Sequence, residues 1–548
     1  MGLVVPKMRQ HRCADALLRS VQDVFCQIPD HRKGDATIPL HDALLSAFAM
    51  VSLKAPSLLA CDQERTEANL QRVYGIGRVP CEPSMRETLE PVQPEHLRPA
   101  FKVGFRGLQR GKVLEEMVFV AGHYLVARDG TGYFSSHESH CESCLEKHHQ
   151  NGAVTYAHQL LGAALLHPHK REVIPCMPAP MVKQDGSEKN DCERHAAQRF
   201  GTKWRQDHPH LKVIVTDESL SAHAPPIETL QEHKRHDIVG VQEGDHAFLF
   251  EQVDQADRAG RVPSYDRNDR KANVHQRLRF VSNMPLNASH PDLRVNVIEC
   301  WETTAEGKVQ HLSWSTALRV TKGTVDQLMR GARARWRIAN ETCNTLKKQG
   351  YHFEPNFGHG SHHLAVVCAT LMLVAFWVEQ LQQLGCPLCQ AAWAQWGSKR
   401  LLWEKMRAYF YIYARESMRP LFAALWDDLH KPTPALASDS CSCVSLLRAS
   451  LPSCTRSGAE FYLNGNPTLH GIMPRCASRC VGGVKREISG AKCTPREPSA
   501  LGCIETLGQG GNCWRLVIAH RATLPATTGP RGRRRPRAAC APCPRCAF

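Results

Sequence analysis

The chain of 548 residues is poor in aromatics, at 7%, and has no long apolar stretch. Its longest apolar run, Leu364–Val378, is 15 residues. A bilayer-crossing helix needs ~18–20, so a buried helix is expected there. The opening MGLVVPKMRQHR lacks the apolar core of a secretory leader. Pro6 stands where a myristoylation signal wants Ser or Thr. These absences point to a reducing, cytoplasmic setting, in which the 24 cysteines bind metal or stay free rather than form disulfides. No internal repeat is visible. Hydrophobic residues at 42% and charged residues at 22% match globular usage, which excludes wholesale disorder and fibrous architectures. The length suggests three domains or so.

The formal net charge is +16, which makes polyanions the first partners to consider. That charge is unevenly placed. From Leu451 to Phe548 there are 15 Lys/Arg against 4 Asp/Glu, so the first 450 residues carry only +5. Nine cysteines also lie in that tail, together with RGRRRPR and CAPCPRC. Residues 436–548 show no periodicity and read as a low-order basic tail.

Residues 1–115 read as a helical N-terminal domain, with Leu18, Val21, Phe25 and Leu44, Phe48, Val51 at helical spacing. Lys102, Arg106 and Arg110 form an i, i+4, i+8 basic stripe there, suited to phosphates or simply to solvent. From Met117 the pattern becomes β-prone. Strands are expected through MVFVAGHYLVARDG, at His158–Leu166, Val173–Met177, in LKVIVTDESL and at IVGV, with a helix over Lys189–Gln206. The order is that of a mixed α/β domain, assigned to 116–245 and 321–435. Period-two alternation from Phe248 to Val320 suggests a β-rich insert over 246–320. Helical signal returns at Val325–Lys348 and Leu364–Leu384.

Asp129 is expected at the end of the first strand, and Asp217 at the end of a second. Carboxylates at neighbouring strand ends can converge on a divalent cation, although Asp-Gly also closes ordinary turns. Arg337, Glu341 and Lys348 form the pattern R-x3-E-x6-K, an acid between cations on one helical face. The same spacing also describes a surface Arg–Glu pair.

VARDGTGYFSSHESHCESCLEK, KNDCERHAAQRF, TDESLSAHAPPI, GDHAFLF and the Arg333–Gly360 segment, in this order, resemble a bacterial insertion-sequence transposase of the IS-four-like DDE type. The resemblance spans about residues 20–430. It implies a ribonuclease-H-like catalytic domain with a β-rich insert, and a DNA transposase acting on the terminal inverted repeats of its own element as a homodimer. It further implies that Asp129, Asp217 and Glu341 hold two Mg²⁺ (or Mn²⁺) ions for in-line phosphodiester displacement. Arg335, Arg337, Lys347 and Lys348 would contact DNA.

The match has gaps. Ala334 stands where the family carries Tyr, Cys343 where it carries Phe, and Ala179 and Ala317 where it carries acids. Close members carry Glu at both 339 and 341, and here position 339 is Ala. The lysine seven residues further on favours Glu341 as the third carboxylate. The other register, Arg335-x3-Ala339, would leave a degenerate copy that binds DNA without cutting it. Separately, Cys141-x2-Cys144 has zinc-knuckle spacing, with His140, His148, His149, His158 and Cys192 as further candidate ligands. Structural Zn²⁺ and unliganded thiols both remain open for that pair.

Overall fold

The computed structural model describes residues 13–34, 36–183, 190–218, 236–269, 273–354, 357–413, 415–427, 504–509 and 512–517. Residues 1–437 and 438–548 form separate units. The tail expected over 436–548 lies outside the described residues, except for a hairpin of Ile504–Gln509 and Asn512–Val517.

The chain opens with six helices: α1 (Ala14–Phe25), α2 (Leu40–Ser52), α3 (Leu58–Gln63), α4 (Ala68–Tyr74), α5 (Glu82–Leu89) and α6 (Arg98–Arg110). In α1, the buried Leu17, Leu18, Val21, Val24 and Phe25 fall at the spacing that lines one helical face. Gly75 ends α4 in the left-handed conformation that a residue with a side chain avoids. These helices share one hydrophobic cluster with the sheet and with α11 (Leu364–Gly385). That helix is long and apolar enough to cross a membrane, yet its most apolar stretch is wholly buried inside the fold. It packs on α1 and α2.

Strands β1 (Val118–Val120), β2 (His123–Ser136), β3 (Leu145–His148), β4 (Val154–Leu166), β5 (Ile174–Pro175) and β6 (Ala179–Met181) lead to helix α7 (Glu193–Asp207). Then follow β7 (Val213–Asp217), β8 (His236–Gly240), helix α8 (Ala247–Arg258), and β9 (Ser264–Asp269), β10 (Val274–Asn287), β11 (His290–Thr304) and β12 (Val309–Thr316). All twelve strands make one sheet of order β3-β4-β2-β7-β8-β12-β11-β10-β9, with β1 on β2, and β5 and β6 on β4. Among the described residues, β2–β7 and β7–β8 pair in parallel and the other pairs are antiparallel. This is a mixed α/β architecture. The chain closes through α9 (Val325–Arg333), a π-helical turn (Ile338–Cys343), α10 (Asn344–Lys348), α11, α12 (Pro387–Trp396), α13 (Lys399–Ile412) and α14 (Met418–Asp427).

Two expectations change. The segment 246–320 does not alternate throughout, because Ala247–Arg258 is the helix α8. Its Leu249, Phe250, Val253 and Ala256 bury a helical face against β10 and β11. The strands that follow continue the central sheet, because β12 pairs with β8. The second change concerns Asp129-Gly130, which closes no turn. The turn comes earlier, at Ala121-Gly122, where both residues have positive φ. β2 then runs on to Ser136, because β4 offers it an antiparallel partner over its whole length.

Candidate acidic site

Strand pairing decides which acids can meet. The parallel register sets Ala127 of β2 beside Thr216 of β7. Arg128 is therefore level with Asp217, and Asp129 with Glu218. Laterally aligned residues share a face of the sheet and consecutive ones alternate. Asp217 accordingly points to the side of Arg128, while Glu218 shares the side of Asp129.

Side-chain contacts agree with this parity. Arg128 donates from Nε to Asp217 Oδ1 at 3.0 Å, and its Nη2 also binds Oδ2. Both side chains are buried, and Arg128 Nη1 also reaches the Ala197 carbonyl of α7 at 3.3 Å. On the other face, Arg335 Nη2 lies 2.5 Å from Glu218 Oε1. Asp129 is half-buried. Burial pushes its carboxyl up to about 6; Arg335 pulls the other way, and Glu218 and Asp217 add to the rise. A carboxyl with that value changes charge near neutral pH, which marks functional sites more often than structural ones.

Glu193, the first residue of α7, is a fourth acid at this place. Its carboxylate fills the space a side chain at position 130 would need, since a Cβ on Gly130 would lie 1.6 Å from Glu193 Oε1. Burial, then Asp129 and Glu218, raise its pKa. Deeper on β8, Asp237 is fully buried and pushed up to about 7 by that burial. Asp129 and Glu218 on one face, and Asp217 and Glu193 on the other, thus flank the end of the β2–β7 pairing. Glu193 and Glu218 were missed in the sequence; Glu218 adjoins Asp217, but only the register shows which of the two faces Asp129.

Glu341 is paired elsewhere, with Arg171 at 3.6 Å. The π-helical turn packs against β2 and β4. Arg335 acts electrostatically on Asp129, and Asp129 in turn helps burial to push the Cys343 thiol up. Ala339 lies midway between them in the chain, within the π-helical turn. Glu341 lines a separate groove with Pro168, His169, Arg267 and Asn340.

The four expected DNA-contacting cations are differently engaged. Arg335 is turned inward to Glu218, with its Nη1 buried and without a hydrogen-bond partner. Arg337 donates to the Pro168 carbonyl at 2.9 Å. Lys347 pairs with Glu354 at 2.6 Å, and Lys348 is exposed. In the stripe on α6, Lys102 is paired with Asp207 of α7 at 3.0 Å. Arg106 and Arg110 are exposed. Glu218 and Arg335 open into a groove of about 490 Å³, lined also by Gly240–Glu243, His311–Trp314, Arg333 and Trp336. Trp336 is unusually exposed for its size, at 43%, and Arg333 lies over its ring.

Cys141 and Cys144 meet His158 of β4 and His359, which lies between α10 and α11. Cys192 is a free thiol at the start of α7, outside this group.

No protein-family model matches the chain, and no curated protein matches it. Among solved structures, the chain is similar to piggyBac transposase in a synaptic complex with hairpin DNA. The likeness has a TM-score of 0.35 and 8% identity, over 82% of this chain and 86% of that one.

Proposed function

We propose that the chain is a transposase-type DNA-binding protein on a ribonuclease-H-like sheet, in which phosphodiester cleavage has been lost. Three antiparallel strands joined to two parallel ones, with acids where β2 meets β7, support the ribonuclease-H-like reading. The sequence blocks quoted above support the transposase lineage. Double-stranded DNA is the partner, met along the groove that carries Arg333, Arg335 and the exposed Trp336. An exposed ring beside guanidinium groups suits stacking and phosphate contact.

The loss of cleavage is supported by Glu341, which pairs with Arg171 at 3.6 Å, while Arg335 and Cys343 are the residues of this segment coupled electrostatically to Asp129. Two-metal chemistry needs several carboxylates bridging ions about 3.5–4 Å apart. Asp129 and Glu218 would hold Mg²⁺ through hard oxygen donors. The segment coupled to Asp129 offers a guanidinium and a thiol. Asp217, tied to buried Arg128, is not free to serve as a ligand.

The test is Mg²⁺-dependent nicking of DNA carrying the sequences that flank the gene. The parent should bind this DNA in a salt-sensitive way without cutting it. Ala339→Glu should raise nicking by about 10³-fold, the scale on which members of a catalytic set act. A parent that cuts as fast as the Ala339→Glu variant would overturn the reading. One observation favours a competing view. Glu193 of α7 is electrostatically coupled to Asp129 and Glu218 at the end of the sheet, and in this view it supplies the third carboxylate. Parental nicking that Glu193→Gln abolishes would establish that alternative.

A further inference from the structure

We propose that Cys141, Cys144, His158 and His359 form a tetrahedral Zn²⁺ centre that fastens the segment after α10 to the sheet. The proposal stands on the geometry of the donor atoms. All four lie within 4.8 Å of one another. Cys141 Sγ is 3.8 Å from Cys144 Sγ and 3.5 Å from His158 Nε2. Cys144 Sγ is 3.4 Å from His158 Nε2 and 3.3 Å from His359 Nε2, and the two Nε2 atoms are 3.1 Å apart.

These separations can be compared with a real tetrahedron. With Zn–S of about 2.3 Å and Zn–N of about 2.0–2.1 Å, the edges come to about 3.8 Å for S···S, 3.5–3.6 Å for S···N and 3.3–3.4 Å for N···N. Each of the five measured edges agrees to within about 0.3 Å. Two thiolates and two imidazoles are the donor set of a structural zinc site, and two thiolates balance the charge of the ion. A hard cation such as Mg²⁺ would choose oxygen instead.

Several local contacts hold the donors in place. The C-x2-C turn follows β2, and the Cys141 amide donates to Cys144 Sγ at 3.4 Å. His158 sits within β4, opposite Phe134 of β2, and its ring stacks on Tyr133. The His359 ring packs on Phe134 with centroids 4.4 Å apart. Its segment is anchored from α5 and beyond by Glu90, whose side chain accepts from the Ser361 amide at 2.5 Å and whose carbonyl accepts from the His363 amide at 3.2 Å. His158 is buried to 3% exposure, so an unliganded arrangement would crowd two thiols and two imidazoles together away from water.

The consequence is mechanical. His359 lies between α10 and α11, just beyond the helix that bears Arg335, Ala339 and Cys343. Zinc would therefore brace the arm that faces Asp129. This inference does not depend on the chain binding or cutting DNA.

The experiment is metal quantitation on the purified full chain, with cobalt substitution as a second readout. The Cys540→Ser/Cys543→Ser/Cys546→Ser variant removes the competing tail cysteines. We expect one zinc per chain in the parent and in this tail variant, and at least about a tenfold loss of bound zinc in Cys144→Ser. Cobalt in the tail variant should show intense tetrahedral d–d bands with sulfur charge transfer, and chelation should lower its melting temperature. Zinc retained by Cys144→Ser but lost from the tail variant would overturn the proposal. A tail variant that takes up no metal would do the same. If Cys144→Ser fails to fold, the cobalt spectrum of the tail variant decides, and a spectrum without sulfur charge transfer refutes the site.

Discussion

Asp217 and Glu218 are adjacent, and the register assigns them opposite work, so removing each charge should have separable effects. Asp217→Asn breaks a two-pronged pair with Arg128 in which the side chains are 4% and 9% exposed. The arginine is then left buried beside a neutral amide. A lysine in that position could shed its proton, but a guanidinium with a pKa above ~12 cannot. Breaking one partner of such a pair costs about 3–5 kcal/mol, because the remaining charge has lost both water and counter-ion. Arg128 keeps its bond to the Ala197 carbonyl and one acceptor oxygen on the amide, but no counter-charge.

Glu218 is different, because its side chain is 52% exposed and so keeps much of its water even while paired with Arg335, which is 12% exposed. An ion pair wetted to that degree contributes about 0–1 kcal/mol. In urea or thermal denaturation, Asp217→Asn should therefore lose about 3–5 kcal/mol, and Glu218→Gln less than about 1. For a folded unit this large, the first loss corresponds to a fall in Tm of roughly 3–6 °C. The reasoning fails if Glu218→Gln is the more damaging change, or if Asp217→Asn leaves stability unaltered. Either result would mean that β2 and β7 pair one residue out of step with the register described.

Two further predictions concern buried charges. Lys54 is wholly buried against Glu379 of α11, 3.3 Å away, and burial lowers its pKa to about 8 despite that partner. Glu379→Gln should cost about 3–5 kcal/mol, capped near the ~5 kcal/mol needed to discharge a lysine at pH 7, whereas Lys54→Met/Glu379→Met should be close to neutral; equal losses in urea denaturation would refute the pairing. Asp237, raised to about 7 from an ordinary 3.8, binds a proton in the folded chain that the unfolded chain has released. Its stabilising protonation is complete below about pH 4 and is lost as pH rises through 7, so Asp237→Asn should remove a decline of roughly a few kcal/mol over that window; an unchanged pH–stability profile would refute it.

Much of the architecture was legible because burial imposes a period. The helical spacing of Leu18, Val21 and Phe25 marked a helix, and the apolar run from Leu364 marked another whose most apolar stretch the fold buries. Where the reading failed, a local signal was outweighed by a distant partner. Asp129-Gly130 has turn chemistry, yet β4 pairs with β2 straight through it, and Gly130 serves instead to admit Glu193. Phe248 and Phe250 alternate like a strand, but Leu249, Phe250, Val253 and Ala256 are also spaced as a helix, and β10 and β11 supply the surface that selects it. His359 had no local signal at all. It stands 215 residues from Cys144, and only the packing of its ring on Phe134 brings it to the cysteine turn.

The third carboxylate shows why a motif can be read in the wrong phase. The spacing R-x3-E-x6-K puts Arg337, Glu341 and Lys348 on one side only if the helix keeps its ordinary period from end to end. Between Ile338 and Cys343 it does not, because that turn is π-helical, and its longer hydrogen-bonded loop rotates everything downstream. Lys348 consequently loses its alignment with Arg337, and the lysine that recommended Glu341 ceases to be an argument for it. Electrostatic contact with Asp129 is then the better guide, and it runs through Arg335 and Cys343. The residue midway between them is Ala339. A π turn that sits beside half-buried acids on a β2-facing helix is the kind of irregularity that function retains.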